Sequence, residues 1–146
     1  MKLLIKAFSF IEVIFTLSIV AILVAVSYPS FNYILLKARR VDAQCSLMAF
    51  ANAMERHYIQ NNSYLGAGVL GANTGCPGVF SSKVPLGGGS ADYELIISTS
   101  TFNTYTLMAT PIGKQVLDKC GSLTLNELGV KGITNSGIGV VVKDCW

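Results

Sequence analysis

The amino-acid sequence predicts an α+β protein in which a long N-terminal helix, half of it transmembrane, packs on a small antiparallel sheet of three to four strands. Three observations carry this expectation. An apolar run extends from Phe8 to Leu36 with Glu12 as its only charged residue. A stripe of apolar residues at helical spacing follows, from Ala43 to Tyr58. Beyond it, residues 93–99 and 104–110 form two β-branched and aromatic runs of period two. With 146 residues, the chain has room for an anchor and one small core. The expected division is a leader at 1–7, a membrane half of the helix at 8–36 and a soluble domain at 37–146.

The apolar run comes first. About twenty residues at roughly 1.5 Å each cross a bilayer core. A carboxylate inside such a run costs on the order of 3 kcal/mol on insertion scales, so Glu12 is expected to find a partner. Lys2 and Lys6 precede the run and would hold the first residues on the cytoplasmic side. Two processing schemes compete. An ordinary signal peptide would be cut after Ala25-Val26-Ser27, leaving a soluble protein that begins at Tyr28. A cut ahead of Phe8 would instead retain the helix. Glu12 near the start of the run and helix-compatible sequence on through Phe31, Ile34, Leu35 and Leu36 favour the second scheme. That cut creates an α-amine one helical turn from Glu12, and a cation of this kind on a neighbouring chain could neutralise the carboxylate. The alternative is a Glu12 that snorkels to the headgroups.

Pro29 lies within helix-compatible sequence and is expected to bend the helix or open its ladder rather than end it. Ala43, Leu47, Phe50, Ala51, Met54 and Tyr58 share a narrow arc at 100° per residue, with Arg39, Asp42, Ser46, Asn52 and Arg56 outside it. The helix should end near Asn61-Asn62, and from Phe8 to about Gln60 it counts some 53 residues, roughly 80 Å at helical rise. Lys37, Arg39 and Arg40 form a basic cluster that reads as a solvated face, with a DNA or lipid-headgroup role as the alternative. His57 reads as a surface or capping residue rather than a general base.

The stretch from Gly66 to Ser90 is Gly-rich, lacks periodicity and reads as one long connecting loop, a candidate partner surface. Its Gly87-Gly88-Gly89 lacks the Lys and Ser/Thr of a phosphate-binding loop. The runs at 93–99 and 104–110 should pair as a hairpin. Tyr93, Leu95 and Ile97 would then share a buried face with Tyr105, Leu107 and Ala109. Residues 120–125 supply a third strand and 130–134 a short fourth.

Four cysteines, Cys45, Cys76, Cys120 and Cys145, all follow the apolar run, which points to an oxidising compartment and two disulfides. No CxxC pair exists and His57 is the only histidine, so neither a zinc site nor another metal or cofactor is expected. Four cysteines allow three pairings. Cys120 with Cys145 and Cys45 with Cys76 are favoured because each joins sequence-near partners and closes a moderate loop. Such a loop is worth roughly 3 to 4 kcal/mol in the chain-entropy model. The formal charge of +3 falls to +1 once Lys2 and Lys6 are removed, which makes no strong electrostatic case for nucleic acid. Lys114, Lys119, Lys131 and Lys143 are dispersed along the sequence and support DNA binding only weakly. No nucleophile with a base and no paired carboxylates are present, so no enzyme is expected.

Ala7 followed by Phe8-Ser9-Phe10-Ile11-Glu12 resembles the leader and first mature residues of type IV pilins and pseudopilins. If Phe8 is the first mature residue, Glu12 is fifth and Pro29 twenty-second, where that family has its Glu and its helix-bending Pro. Ala7 stands where the family has Gly. Met54-Glu55-Arg56-His57-Tyr58, Asn62-Ser63-Tyr64, 105–111, 120–125 and the terminal Cys145-Trp146 resemble the PilE-type minor pilins. The resemblance covers nearly the whole chain and is weakest from Val69 to Ser90. It implies cleavage by a prepilin peptidase between Ala7 and Phe8, N-methylation of Phe8, and a Glu12 that meets the α-amine of an adjacent subunit. The implied partners are other pilin subunits, the inner-membrane assembly machinery and, before assembly, membrane lipid. The implied locations are the inner membrane with a periplasmic domain, then the extracellular pilus. The resemblance also supports Cys120 with Cys145. A type II secretion pseudopilin and a specialised adhesive or DNA-uptake pilin are the alternatives, and no Asp/Glu cluster supplies the calcium site common in pseudopilins.

Overall fold

The structure, a computed structural model, describes residues 9–146, with the side chains at positions 26–30 outside the description. Two compact units divide between Leu35 and Leu36. Helix α1 (Phe10–Asn61) contributes to both. At its start the Ser9 carbonyl accepts the amides of Glu12 at 3.0 Å and Val13 at 3.2 Å. Glu12 in the first turn is a favourable charge for the helix dipole. At its end the Asn62 amide bonds the Tyr58 carbonyl at 2.7 Å while Asn62 turns to φ 53°, a left-handed cap that closes the helix where expected.

The second unit is an antiparallel meander laid on the C-terminal part of α1. Its strands are β1 (Lys83–Val84), β2 (Tyr93–Ser100), β3 (Tyr105–Pro111), β4 (Ser122–Asn126) and β5 (Lys131–Thr134), neighbours in that order. The sheet therefore has five strands, not three to four. The missed strand β1 is two residues long and pairs Lys83 with Glu94 and Val84 with Tyr93, too short to show a period of its own. The expected featureless loop at 66–90 is likewise tied down, by bridges from Gly68 to Pro77 and from Gly75 to Ile97.

The hairpin registers Leu95 with Ala109 and Ile97 with Leu107, and β4 sets Leu125 beside Leu107. Alternation sends Tyr93, Leu95, Ile97, Tyr105, Leu107, Ala109, Leu123 and Leu125 to one buried face. Ala43, Leu47, Phe50 and Met54 on α1 close the other side of the core, with Phe80 stacked on Phe50 at 5.3 Å. Ser46, expected outside the stripe, is buried, one turn before the Phe50 on which Phe80 stacks.

Cys120 and Cys145 form a disulfide, with Cα atoms 5.7 Å apart. It fastens the short helix α2 (Val142–Cys145) to the start of β4. Gly121 beside it takes φ +60°, and a side chain there would meet the carbonyls of Thr134 and Asn135. The expected Cys45–Cys76 bridge is absent: both are free, exposed thiols. Cys45 lies on an outward position of α1, while the amide and carbonyl of Gly75 are bound to Ile97 on β2, which holds Cys76 at the sheet edge.

Candidate assembly helix and nucleic-acid interface

Every described side chain from Ser9 to Ala25 is exposed, including Glu12, Phe10 and Phe15. The polar residues within the run satisfy themselves locally. The Thr16 hydroxyl donates to the Val13 carbonyl at 2.9 Å and the Ser18 hydroxyl to the Ile14 carbonyl at 2.8 Å. Among the described residues Glu12 makes no ion pair. Ala7 and Phe8 lie outside the described residues. Pro29 falls within α1, its side chain outside the description. Among the described residues no helix is long and apolar enough to cross a membrane. Of the expected membrane half at 8–36, Phe8 and the side chains at 26–30 lie outside the description, and the apolar side chains described run from Phe10 to Ala25 and resume at Phe31.

Of the basic cluster at 37–40, expected as a solvated face, Lys37 is exposed but Arg40 is not. Arg40 is buried and its Nη1 donates to Asp118 Oδ1 at 2.7 Å and to the sulfur of Cys120. Arg39 pairs with Asp92 at 3.2 Å. Arg40 lies three residues before Ala43 and seven before Leu47, so the stripe itself held the signal that it points inward. Around the Arg40–Asp118 pair the Gln115 amide donates to the Leu36 carbonyl at 3.0 Å, the Tyr93 hydroxyl at 3.1 Å and Asp118 Oδ2 at 3.2 Å. Burial pushes the Tyr93 hydroxyl up to about 12, with the Asp118 carboxylate adding to the shift and the Gln115 amide opposing it.

A second network sits at the C-terminal end of α1. Glu55 accepts the hydroxyls of Tyr64, at 3.0 and 3.1 Å, and of Tyr105, at 3.0 Å. Burial and then the Glu55 carboxylate push Tyr64 up to about 12 and raise Tyr105 further. His57 caps, as expected, with Nε2 at 2.9 Å from the Leu65 carbonyl and Nδ1 at 3.2 Å from the Asn61 amide.

These networks sort the charges. Of the seven carboxylates between 36 and 146 only Asp42 and Asp144 are exposed, whereas seven of the nine cations are. The solvent-facing surface is therefore more basic than the formal charge implies. The lysines dispersed in sequence also draw together in part. A groove of about 220 Å³ is lined by Lys37, Arg40, Gln44, Lys143 and Trp146, with Asp144 as its one carboxylate, and Lys131 Nζ lies 5.1 Å from the centre of the Trp146 ring. Lys131 lies over the ring face, and the indole Nε1 donates at the ring edge to the Gly132 carbonyl at 2.9 Å. Lys114 lies apart, beside Arg39 and Asp92. Among the described residues no group of three His, Cys, Asp or Glu side chains could hold a metal ion.

Comparison with known proteins places this architecture. The family model for the type IV minor pilin ComP, DNA uptake sequence receptor, matches residues 29–124. The non-core minor pilin PilV of Neisseria meningitidis is 17% identical with a TM-score of 0.53, covering 74% of this chain and 93% of its own. A type IV pilin from Shewanella oneidensis is 26% identical with a TM-score of 0.47, covering 76% of this chain and 97% of its own. No curated protein sequence matches the chain. The helix laid on an antiparallel meander is the pilin fold, and the family match spans well over half of the sequence. The chain belongs to the type IV minor pilin ComP family and is a structural subunit that assembles with other pilin subunits.

Proposed function

We propose that this minor pilin is stored in the inner membrane through residues 8–36, with residues 37–146 in the periplasm, and is then drawn into an extracellular type IV pilus. A prepilin peptidase cuts between Ala7 and Phe8, Phe8 is N-methylated, and Glu12 pairs with the α-amine of an adjacent subunit. The observation that carries this is Glu12, exposed and without an ion pair among the described residues, on a helix whose described apolar side chains are all exposed up to Ala25. In lipid, membrane-assembly machinery or a filament such a surface is covered, and pairing removes the cost of the carboxylate. The subunit acts by packing, and no catalytic role is assigned to it. N-terminal sequencing of the mature protein should begin at Phe8; a start at Tyr28 would make it a secreted soluble domain instead. Glu12→Ala should lower its recovery in sheared pili at least tenfold while leaving its amount in membranes unchanged, and normal recovery would refute the pairing.

The charge sorting favours a further role, uptake of DNA, which is also what the family description names. Lys37, Lys131 and Lys143 would contact phosphates around Trp146. Because the indole is engaged by Lys131 and Gly132, this interface suits backbone contacts to a duplex better than stacking on single strands. The detergent-solubilised full chain should retard duplex DNA in a salt-dependent manner. Each of Lys37→Gln, Lys131→Gln and Lys143→Gln should lower the salt slope by about 1. Unchanged slopes in all three would place the DNA contact elsewhere or remove it.

A further inference from the structure

The 3₁₀ turn Gly113–Leu117 is clamped from below and apolar on top. Gln115 is fully buried and bonded to the Leu36 carbonyl on α1, and Asp118 is buried against Arg40. Between these two anchors Val116 is 62% exposed and Leu117 81% exposed. Two backbone bonds, from Gln115 to the Ile112 carbonyl at 3.1 Å and from Asp118 to the Gln115 carbonyl at 2.9 Å, fix the turn, so the pair is held outward by structure. Exposed cations flank it on both sides, Lys114 and Lys119.

Two other exposed apolar side chains, Phe102 and Leu128, lack this setting. Phe102 lies in a turn without a charged residue, and Leu128 follows Glu127. The Gly113–Leu117 turn joins a rigid apolar tip to two exposed cations. Apolar side chains that enter the acyl boundary, ringed by lysines that meet anionic headgroups, are the chemistry of interfacial membrane contact.

We propose that Val116 and Leu117, with Lys114 and Lys119, form a docking surface for an anionic lipid bilayer, which seats the soluble domain on the membrane before assembly. This rests on residues 8–36 being held in the bilayer. The full chain is reconstituted in nanodiscs of phosphatidylglycerol or of phosphatidylcholine, and hydrogen exchange is followed across 113–119. Exchange should be several-fold slower in phosphatidylglycerol than in phosphatidylcholine, and Leu117→Ser or the pair Lys114→Gln and Lys119→Gln should abolish the difference. Equal exchange in both lipids with the chain incorporated overturns the docking surface and leaves the anchor standing. Protection that rises with chain concentration in both lipids assigns the turn to a second copy and overturns the lipid assignment. A chain that does not co-purify with either nanodisc overturns the anchor, and the docking surface with it.

Discussion

Phe15 and Phe50 lie on the same helix, yet Phe15 is 67% exposed and Phe50 fully buried. The contrast runs through their surroundings. From Ser9 to Ala25 every side chain faces outward, whereas Arg40, Ala43, Ser46, Leu47, Phe50, Ala53 and Met54 are enclosed. The second set is a stripe, apolar on one face and polar on the other, and a sheet of the same chain covers it. The first is apolar all round apart from Glu12 and a few hydroxyls that bond their own helix, so one covering sheet could never suffice. Such a helix needs lipid or other subunits on all sides. Exposure in the first region is thus a surface reserved for assembly, and burial in the second is what makes the domain.

The comparison breaks most sharply at the buried ion pair. Asp118→Ala leaves the Arg40 charge enclosed without its carboxylate and should cost about 3 to 5 kcal/mol in denaturant unfolding, with much of it recovered by Arg40→Met combined with Asp118→Leu. Phe50→Ala should cost about 3 to 5 kcal/mol from lost burial and the cavity left behind. Phe15→Ala should shift the stability of the domain by less than about 0.5 kcal/mol, yet lower recovery in pili. Equal effects of the two substitutions on unfolding would erase the distinction.

A pH-dependent effect belongs to two buried tyrosines of the second unit. Tyr64 and Tyr93 are pushed up to about 12 from an ordinary 10. Below pH 10 neither state ionises them and stability is independent of this term. Between pH 10 and 12 the unfolded chain releases protons that the fold retains, so stability falls by about 1.4 kcal/mol per pH unit for each tyrosine. Tyr64→Phe should flatten that alkaline slope by one tyrosine's share, as followed by thermal unfolding from pH 9 to 12.

Much of this division is legible in sequence because periodicity reports on a single face. The spacing of Ala43, Leu47, Phe50 and Met54 predicts the buried stripe, and the alternation at 93–99 and 104–110 predicts the hairpin and its inward face. The Cys120–Cys145 bridge follows from the same short separation, 25 residues, that favoured it. The equally short Cys45–Cys76 pairing fails, since closeness in sequence sets loop entropy but not direction, and the two thiols sit on separate outward surfaces. Arg40 is misjudged for a related reason. Its register with Ala43 and Leu47 was legible, but the carboxylate that lets a cation be buried there, Asp118, lies 78 residues away.

The sequence by itself determined the long helix, the position of Glu12 within its apolar run and the residues that form the core, because each depends on local spacing and on transfer from water. The tertiary structure alone decided which charges are spent internally, which cysteines meet, and that Lys37, Lys131 and Lys143 gather around Trp146. Those outcomes depend on through-space distances of a few ångströms between elements far apart in the chain, and a one-dimensional pattern carries no such distances.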